Sequence, residues 1–265
     1  MGQGWDGGAA VGGGGGPRGC VTRPTHPRSV GKSFKSIRGD TLAGGELEIR
    51  ILVDDMGPAG VPTARGFSAL VDTPGPRILF DAGPDGEMLL GALRREAIDP
   101  KSIDLVVISH AHPDHYGGLP RLLYDRPRLE VSVPAGAASA IARKLPKASV
   151  IRGEPGPRDL AEGVRLTGDM GGAIPEQALL LETEEGWAAV VGCGHQGLEA
   201  IVAAADGDLS ILVGGLHDLN PNQSMLSWVG RIYACHCTPN KRVLSHRLDN
   251  VELGVVGTVI NVPQA

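Results

Sequence analysis

Residues 110–115, His-Ala-His-Pro-Asp-His, place three of the chain's eight histidines and an aspartate within six positions. Imidazole nitrogen and carboxylate oxygen bind zinc at ~2.0–2.2 Å, and they also suit manganese or iron. In extended chain, alternate side chains share a direction, so His110 and His112 can reach one ion together. Pro113 then redirects the backbone, and Asp114 and His115 can point to an adjacent ion. Two such cations ~3.5–4 Å apart can hold a water between them, lower its pKa and polarise the bond it attacks. The plain alternative is a loop of solvated histidines, and the spacing of four donors at a strand's end argues against it.

Two imidazoles do not complete a tetrahedral ion, so further donors must come from distant chain. Cys193 and His195 are separated by one residue in Val-Val-Gly-Cys-Gly-His-Gln-Gly, and an extended backbone there points both the same way. Tyr-Ala-Cys-His-Cys-Thr-Pro supplies His236 between Cys235 and Cys237. Read as a strand, this segment puts the two cysteines on one face and His236 on the other. If His236 faces the cations, both cysteines face away as small core residues. Asp81 and His217 each end a predicted strand, where a turn cap and a surface histidine are the simplest readings.

The elements that must carry these residues alternate between short strands and helices. Residues 47–55 read as a strand, and 66–83 as a hairpin turning at Pro74-Gly75. Asp85 can cap a helix through Ala97, with Met88, Leu89, Ala92 and Leu93 on one face. Asp99-Pro100 opens a short helical turn, and 104–109 is a fully apolar strand that predicts burial on both faces. Further along, 129–134 reads as a strand, 135–145 as a helix, 178–194 as a hairpin and 198–205 as a helix. Strand 209–217, helix 224–232, strand 233–237 and strand character over 251–262 complete the pattern. Strands mixed with helices, some linked as hairpins, indicate an α/β or α+β layered domain over residues 46–265.

The segment His-Ala-His-Pro-Asp-His resembles the His-x-His-x-Asp-His signature of the metallo-β-lactamase superfamily. That resemblance implies a four-layer αββα sandwich with a dinuclear metal site. Within the superfamily the chain looks most like the branch of dihydropterin-ribofuranosylaminobenzene phosphate synthase-like proteins. Residues 66–83, 109–119, 190–202 and 211–217 with 233–238 carry that likeness. It implies that His195 joins His110 and His112 at one ion, and that His236 joins Asp114 and His115 at the other. Cys193 falls near the position of the aspartate that bridges the metals in many members, so the bridging ligand stays open. The resemblance also casts Asp81 as a support for the metal histidines, and His217 as a substrate contact or proton relay. The expected cofactors are two divalent ions, zinc foremost, with Asp114 positioning the attacking hydroxide or accepting its proton.

Composition bounds the rest. Aromatics make up 3% of the chain, so Val, Leu, Ile and Ala must build the core. Residues 1–39 carry six basic side chains against Asp6 alone, net +5, within a Gly-rich tail over residues 1–45 that reads as disordered. The remainder is net −10 in a chain whose total is −5, which does not suit a nucleic-acid binder. No apolar run approaches the ~18–20 residues of a membrane span, and the first residues lack the pattern of a secretory signal. Four unevenly spaced cysteines suit a reducing compartment, and the expected location is the cytoplasm, with a small-molecule substrate.

The leading expectation is a metal-dependent hydrolase acting on an ester, amide or phosphoester. A transferase joining a phosphorylated arylamine to a dihydropterin diphosphate is the alternative that the branch suggests. A redox diiron protein would typically carry glutamate where this chain has His112, and an inactive metal-binding domain is the remaining alternative.

Overall fold

The computed structural model describes residues 47–147, 149–217, 219 and 224–264. The tail over residues 1–45 lies outside the described residues. Strand β1 (Leu47–Val53) alternates, sending Leu47, Ile49 and Ile51 to one face while Glu48 and Arg50 face the other way. Its register with the next strand shifts between Ile51 and Val53, and Leu52 and Val53 join the opposite core. The hairpin of β2 (Ser68–Asp72) and β3 (Ile78–Phe80) forms as expected. Helix α1 (Gly86–Arg95) starts where Asp85 accepts a hydrogen bond from the Met88 N–H. Next come β4 (Leu105–Val107), the single-turn α2 (Pro113–Tyr116), α3 (Leu119–Asp125), β5 (Glu130–Pro134), α4 (Ala138–Ala142) and β6 (Val150–Glu154). Strands β3 to β6 pair in parallel, and the first sheet also gains the last strand, β14 (Val259–Val262), beside β1.

The second sheet is built from β7 (Arg158–Ala161), β8 (Val164–Leu166), β9 (Leu179–Thr183) and β10 (Gly186–Val191) as an antiparallel run. It continues in parallel through β11 (Leu209–Gly214), β12 (Val229–Ala234) and β13 (Val251–Leu253). Helix α5 (Gly197–Ala205) links β10 to β11, and α6 (Lys241–Arg247) links β12 to β13. Among the described residues each sheet has seven strands.

Three apolar clusters define four layers. The inward faces of both sheets meet through Ile49, Phe67, Phe80, Val107, Leu179, Val190 and Val213. Leu89, Leu93, Leu122 and Ile141 of α1, α3 and α4 cover the outer face of the first sheet. Leu198, Ile201 and Leu244 of α5 and α6 cover that of the second. This is the expected αββα sandwich. The apolar strand near 104–109 has the expected double burial, with Leu105 and Val107 in the inner core and Val106 in the outer one.

The folded chain departs from the sequence reading in three places. Residues 224–232 are not a helix: a 3₁₀ turn covers Ser224–Trp228, and β12 begins at Val229. Pairing of Val229 with Leu209 and Ile232 with Leu212 recruits the end of that segment into the sheet. Consequently β12 ends at Ala234, before the Cys-His-Cys triplet. The strand character over 251–262 divides into β13 and β14, which lie in different sheets. Residues 150–166, most of them exposed or half-buried, form β6 to β8 without a periodic apolar signal. Among the described residues no helix is long and apolar enough to cross a membrane.

Candidate metal centre

The centre forms beyond the carboxyl ends of β4, β10, β11 and β12, where parallel strands commonly present ligand-binding loops. His112 caps α2 in an extended conformation and Pro113 occupies its first turn, which suits a residue without an N–H. This arrangement turns His110 and His112 together, with His110 Nε2 at 2.9 Å from His112 Nδ1. The α2 turn carries Asp114 and His115 to the other side.

Donors from the second sheet complete two groups. His110, His112 and His195 bring one ligand atom each within 4.8 Å of one another, and Asp114, His115 and His236 do the same. The His115 and His236 Nε2 atoms face each other at 3.2 Å. Cys193 lies between the groups: its Sγ is 3.3 Å from His115 Nε2 and 3.5 Å from His236 Nε2, and it also clusters with His110 and His115. His217 is exposed at the rim, its ring 4.9 Å from that of His195.

Cys237 departs from the alternation argument. Its Sγ clusters with Cys193 and His217 beside the centre, while Cys235 is fully buried in the inner core. The reason is that β12 has already ended. A turn in which Thr238 N–H donates to Cys235 O carries the triplet, so strand alternation does not govern it.

Buried carboxylates hold the donors in place. Asp81, at a positive φ of 56° just past β3, accepts from the Ser109 N–H, the Ser109 hydroxyl and His115 Nδ1, each at 2.7 Å. With its proton on Nδ1, His115 presents the Nε2 lone pair to the centre. Asp81 therefore sits where it supports His115 directly. Glu176 accepts from the backbone N–H groups of Cys193, Gly194 and His195 at 2.9, 3.0 and 2.6 Å. Asp54 accepts from His236 N–H at 2.7 Å and from the Lys241 ammonium. Gly192 permits close contact of the two sheets, because a Cβ there would lie 2.0 Å from Ser109 Oγ.

Glu176 and Asp54 were not recognisable as site residues from spacing. Their signals are slight: a carboxylate entering the apolar run that becomes β9, and an aspartate directly after β1.

Burial sets the charge state of several groups at the centre. Burial, followed by neighbouring imidazoles, pushes His110 and His236 well below the usual histidine range, so both are neutral donors near neutral pH. Burial opposes charge on His115 as well, but the Asp81 carboxylate outweighs it and raises that pKa. Burial also raises Glu176 against the pull of its three backbone donors. Burial raises Asp54 to about 7, against the attraction of Lys241. The donor set of five imidazoles and one carboxylate, with ring nitrogens converging at hydrogen-bond distances, fits divalent cations of the zinc type.

The description of the metallo-beta-lactamase superfamily matches residues 62–217, more than half of the chain, and the protein belongs to that family. Among curated proteins, it is 35% identical over 79 residues to 7,8-dihydropterin-6-methyl-4-(beta-D-ribofuranosyl)-aminobenzene-5'-phosphate synthase of Methanocaldococcus jannaschii. That match covers 28% of this chain and 27% of the other. An uncharacterised protein of the same organism is 41% identical over 71 residues, 27% of each chain. The matched region thus spans about a quarter of the length of these relatives. The expected likeness to the dihydropterin branch reappears in this partial match.

Solved structures share the fold. Tm1679, a metal-dependent hydrolase of the beta-lactamase superfamily, superposes with a TM-score of 0.67 at 23% identity, covering 82% of this chain and 100% of its own. The metallo-beta-lactamase fold protein YhfI from Bacillus subtilis gives 0.60 at 14%, covering 82% and 99%. Human tRNase Z, short form, gives 0.56 at 18%, also covering 82% and 99%.

Proposed function

We propose that this protein is a metal-dependent hydrolase of a small-molecule ester, amide or phosphoester, holding two divalent cations, zinc foremost. One observation carries the reading: two three-residue donor groups, drawn from both sheets, lie side by side at one end of the sandwich. His110, His112 and His195 would hold one cation, and Asp114, His115 and His236 the other, with Cys193 between them. When bound, such a pair supplies Lewis acidity and lowers the pKa of water. Asp81 keeps the His115 proton on Nδ1, leaving Nε2 as a donor. The Asp114 carboxylate takes up the proton released by the attacking water. The His217 imidazole, exposed beside His195, meets the leaving group at the rim. The net charge of −10 over residues 40–265 favours a small molecule over a nucleic acid.

Protein purified without chelators should carry two equivalents of metal per chain by elemental analysis. It should cleave members of a panel of chromogenic esters and phosphoesters, with chelation abolishing turnover. Absence of stoichiometric metal would remove the basis for this reading. The partial identity to the dihydropterin enzyme supports a second reading, transfer to an arylamine. Product analysis with and without an amine acceptor separates the two.

A further inference from the structure

A cationic side chain outside the donor groups, Arg65, lies beside Asp114. Arg65 lies near the end of the loop that joins β1 to β2, and its side chain is 79% exposed. The loop is fastened there by backbone. Phe67 N–H donates to Asp114 O at 3.3 Å. Gly66, at φ +129°, runs so close that a Cβ would lie 2.2 Å from the same carbonyl oxygen. A residue other than glycine would push the loop off α2. On the next residue, the Phe67 ring lies stacked 6.2 Å from His236, with 15° between the planes. Arg65 is therefore held beside Asp114 by the backbone that follows it.

Those contacts leave most of the guanidinium's capacity unused. Arg65 Nε lies 3.7 Å from Asp114 Oδ2, beyond hydrogen-bond length, and an exposed pair at that separation contributes little to stability. The planar fork offers five donors and matches phosphate oxygens two at a time.

We infer that Arg65 is an anion-binding residue that selects substrates in which the bond to be broken belongs to a phosphate group. The inference rests on the hydrolase reading of the same centre. Tetrahedral phosphate presents oxygens toward the donor groups and toward the fork at once, which a neutral ester does not.

The test uses the full-length, metal-loaded protein and inorganic phosphate as the probe in calorimetric titration. Wild-type chain should bind phosphate, Arg65→Ala should bind it roughly tenfold more weakly, and Arg65→Lys should fall between. The kcat/KM preference for 4-nitrophenyl phosphate over 4-nitrophenyl acetate should drop by a similar factor in Arg65→Ala. Equal phosphate affinity in wild type and Arg65→Ala, at equal metal content, overturns the inference, as does a wild type that binds no phosphate. Should Arg65→Ala fail to fold or to load metal, Arg65→Gln carries the same comparison. A wild type that turns over no member of the chromogenic panel sinks the hydrolase reading, while the phosphate titration still decides the role of Arg65.

Discussion

The two sheets build their halves of the centre in different ways. The first sheet contributes His110, His112, Asp114 and His115 from one stretch of six residues, shaped locally by an extended cap, Pro113 and a single helical turn. The second contributes His195 and His236 from separate crossovers, each anchored through its backbone N–H to a buried acid: Glu176 for one and Asp54 for the other. The contiguous donors are aimed mainly by local geometry, and the distant Asp81 braces one of their rings, that of His115. The dispersed donors are instead braced through their backbone N–H groups, by acids from other segments.

The sharpest way to break this comparison is Glu176→Ala. Three buried backbone N–H groups, those of Cys193, Gly194 and His195, would lose their acceptor. At about 1–3 kcal/mol for each unsatisfied group, the loss should exceed ~3 kcal/mol in urea denaturation. An unchanged midpoint would show that the 193–195 loop holds its shape without the brace.

Gly192→Ala should cost about 1–3 kcal/mol, because the added methyl meets Ser109 Oγ where the two halves touch. The same denaturation curve measures it. Asp81→Asn addresses the contiguous half. Removing the carboxylate behind His115 Nδ1 should weaken metal binding ~10–100-fold in chelator competition. On the proposed two-ion reading, the ion nearest Asp114, His115 and His236 should be lost ahead of its neighbour. Equal loss of both ions would blur the distinction between the two donor groups.

The smallest effects separate the two cysteines that flank His236. Cys235→Ser, in the inner core, should destabilise by about 1–3 kcal/mol. Cys237→Ser, beside the centre and half-buried, should cost less than ~1 kcal/mol. Equal costs would return Cys237 to the core side that strand alternation assigns it.

Much of the fold could be read before any coordinates, for reasons visible in particular residues. β1 alternates, Asp85 caps α1, and the apolar 105–107 stretch is buried on both faces, each a consequence of local periodicity and capping. The strands over 150–166 were not legible, since partial exposure leaves no two-residue rhythm. Helical propensity misled over 224–232, where pairing with β11 captured Val229 to Ile232. Extending the strand through 233–237 then misplaced Cys237.

Residue type and spacing alone determined that His110, His112, Asp114 and His115 form one cluster, because alternation and a proline turn act within six residues. The tertiary structure alone decided which distant groups meet that cluster. Glu176 lies 66 residues beyond His110 in sequence, yet the two form an isolated bridge between the sheets. Asp54 reaches His236 across 182 residues. A buried carboxylate's partners are set by which backbone N–H groups the packed sheets leave without an acceptor, and that is a property of the assembled sandwich rather than of any segment in it.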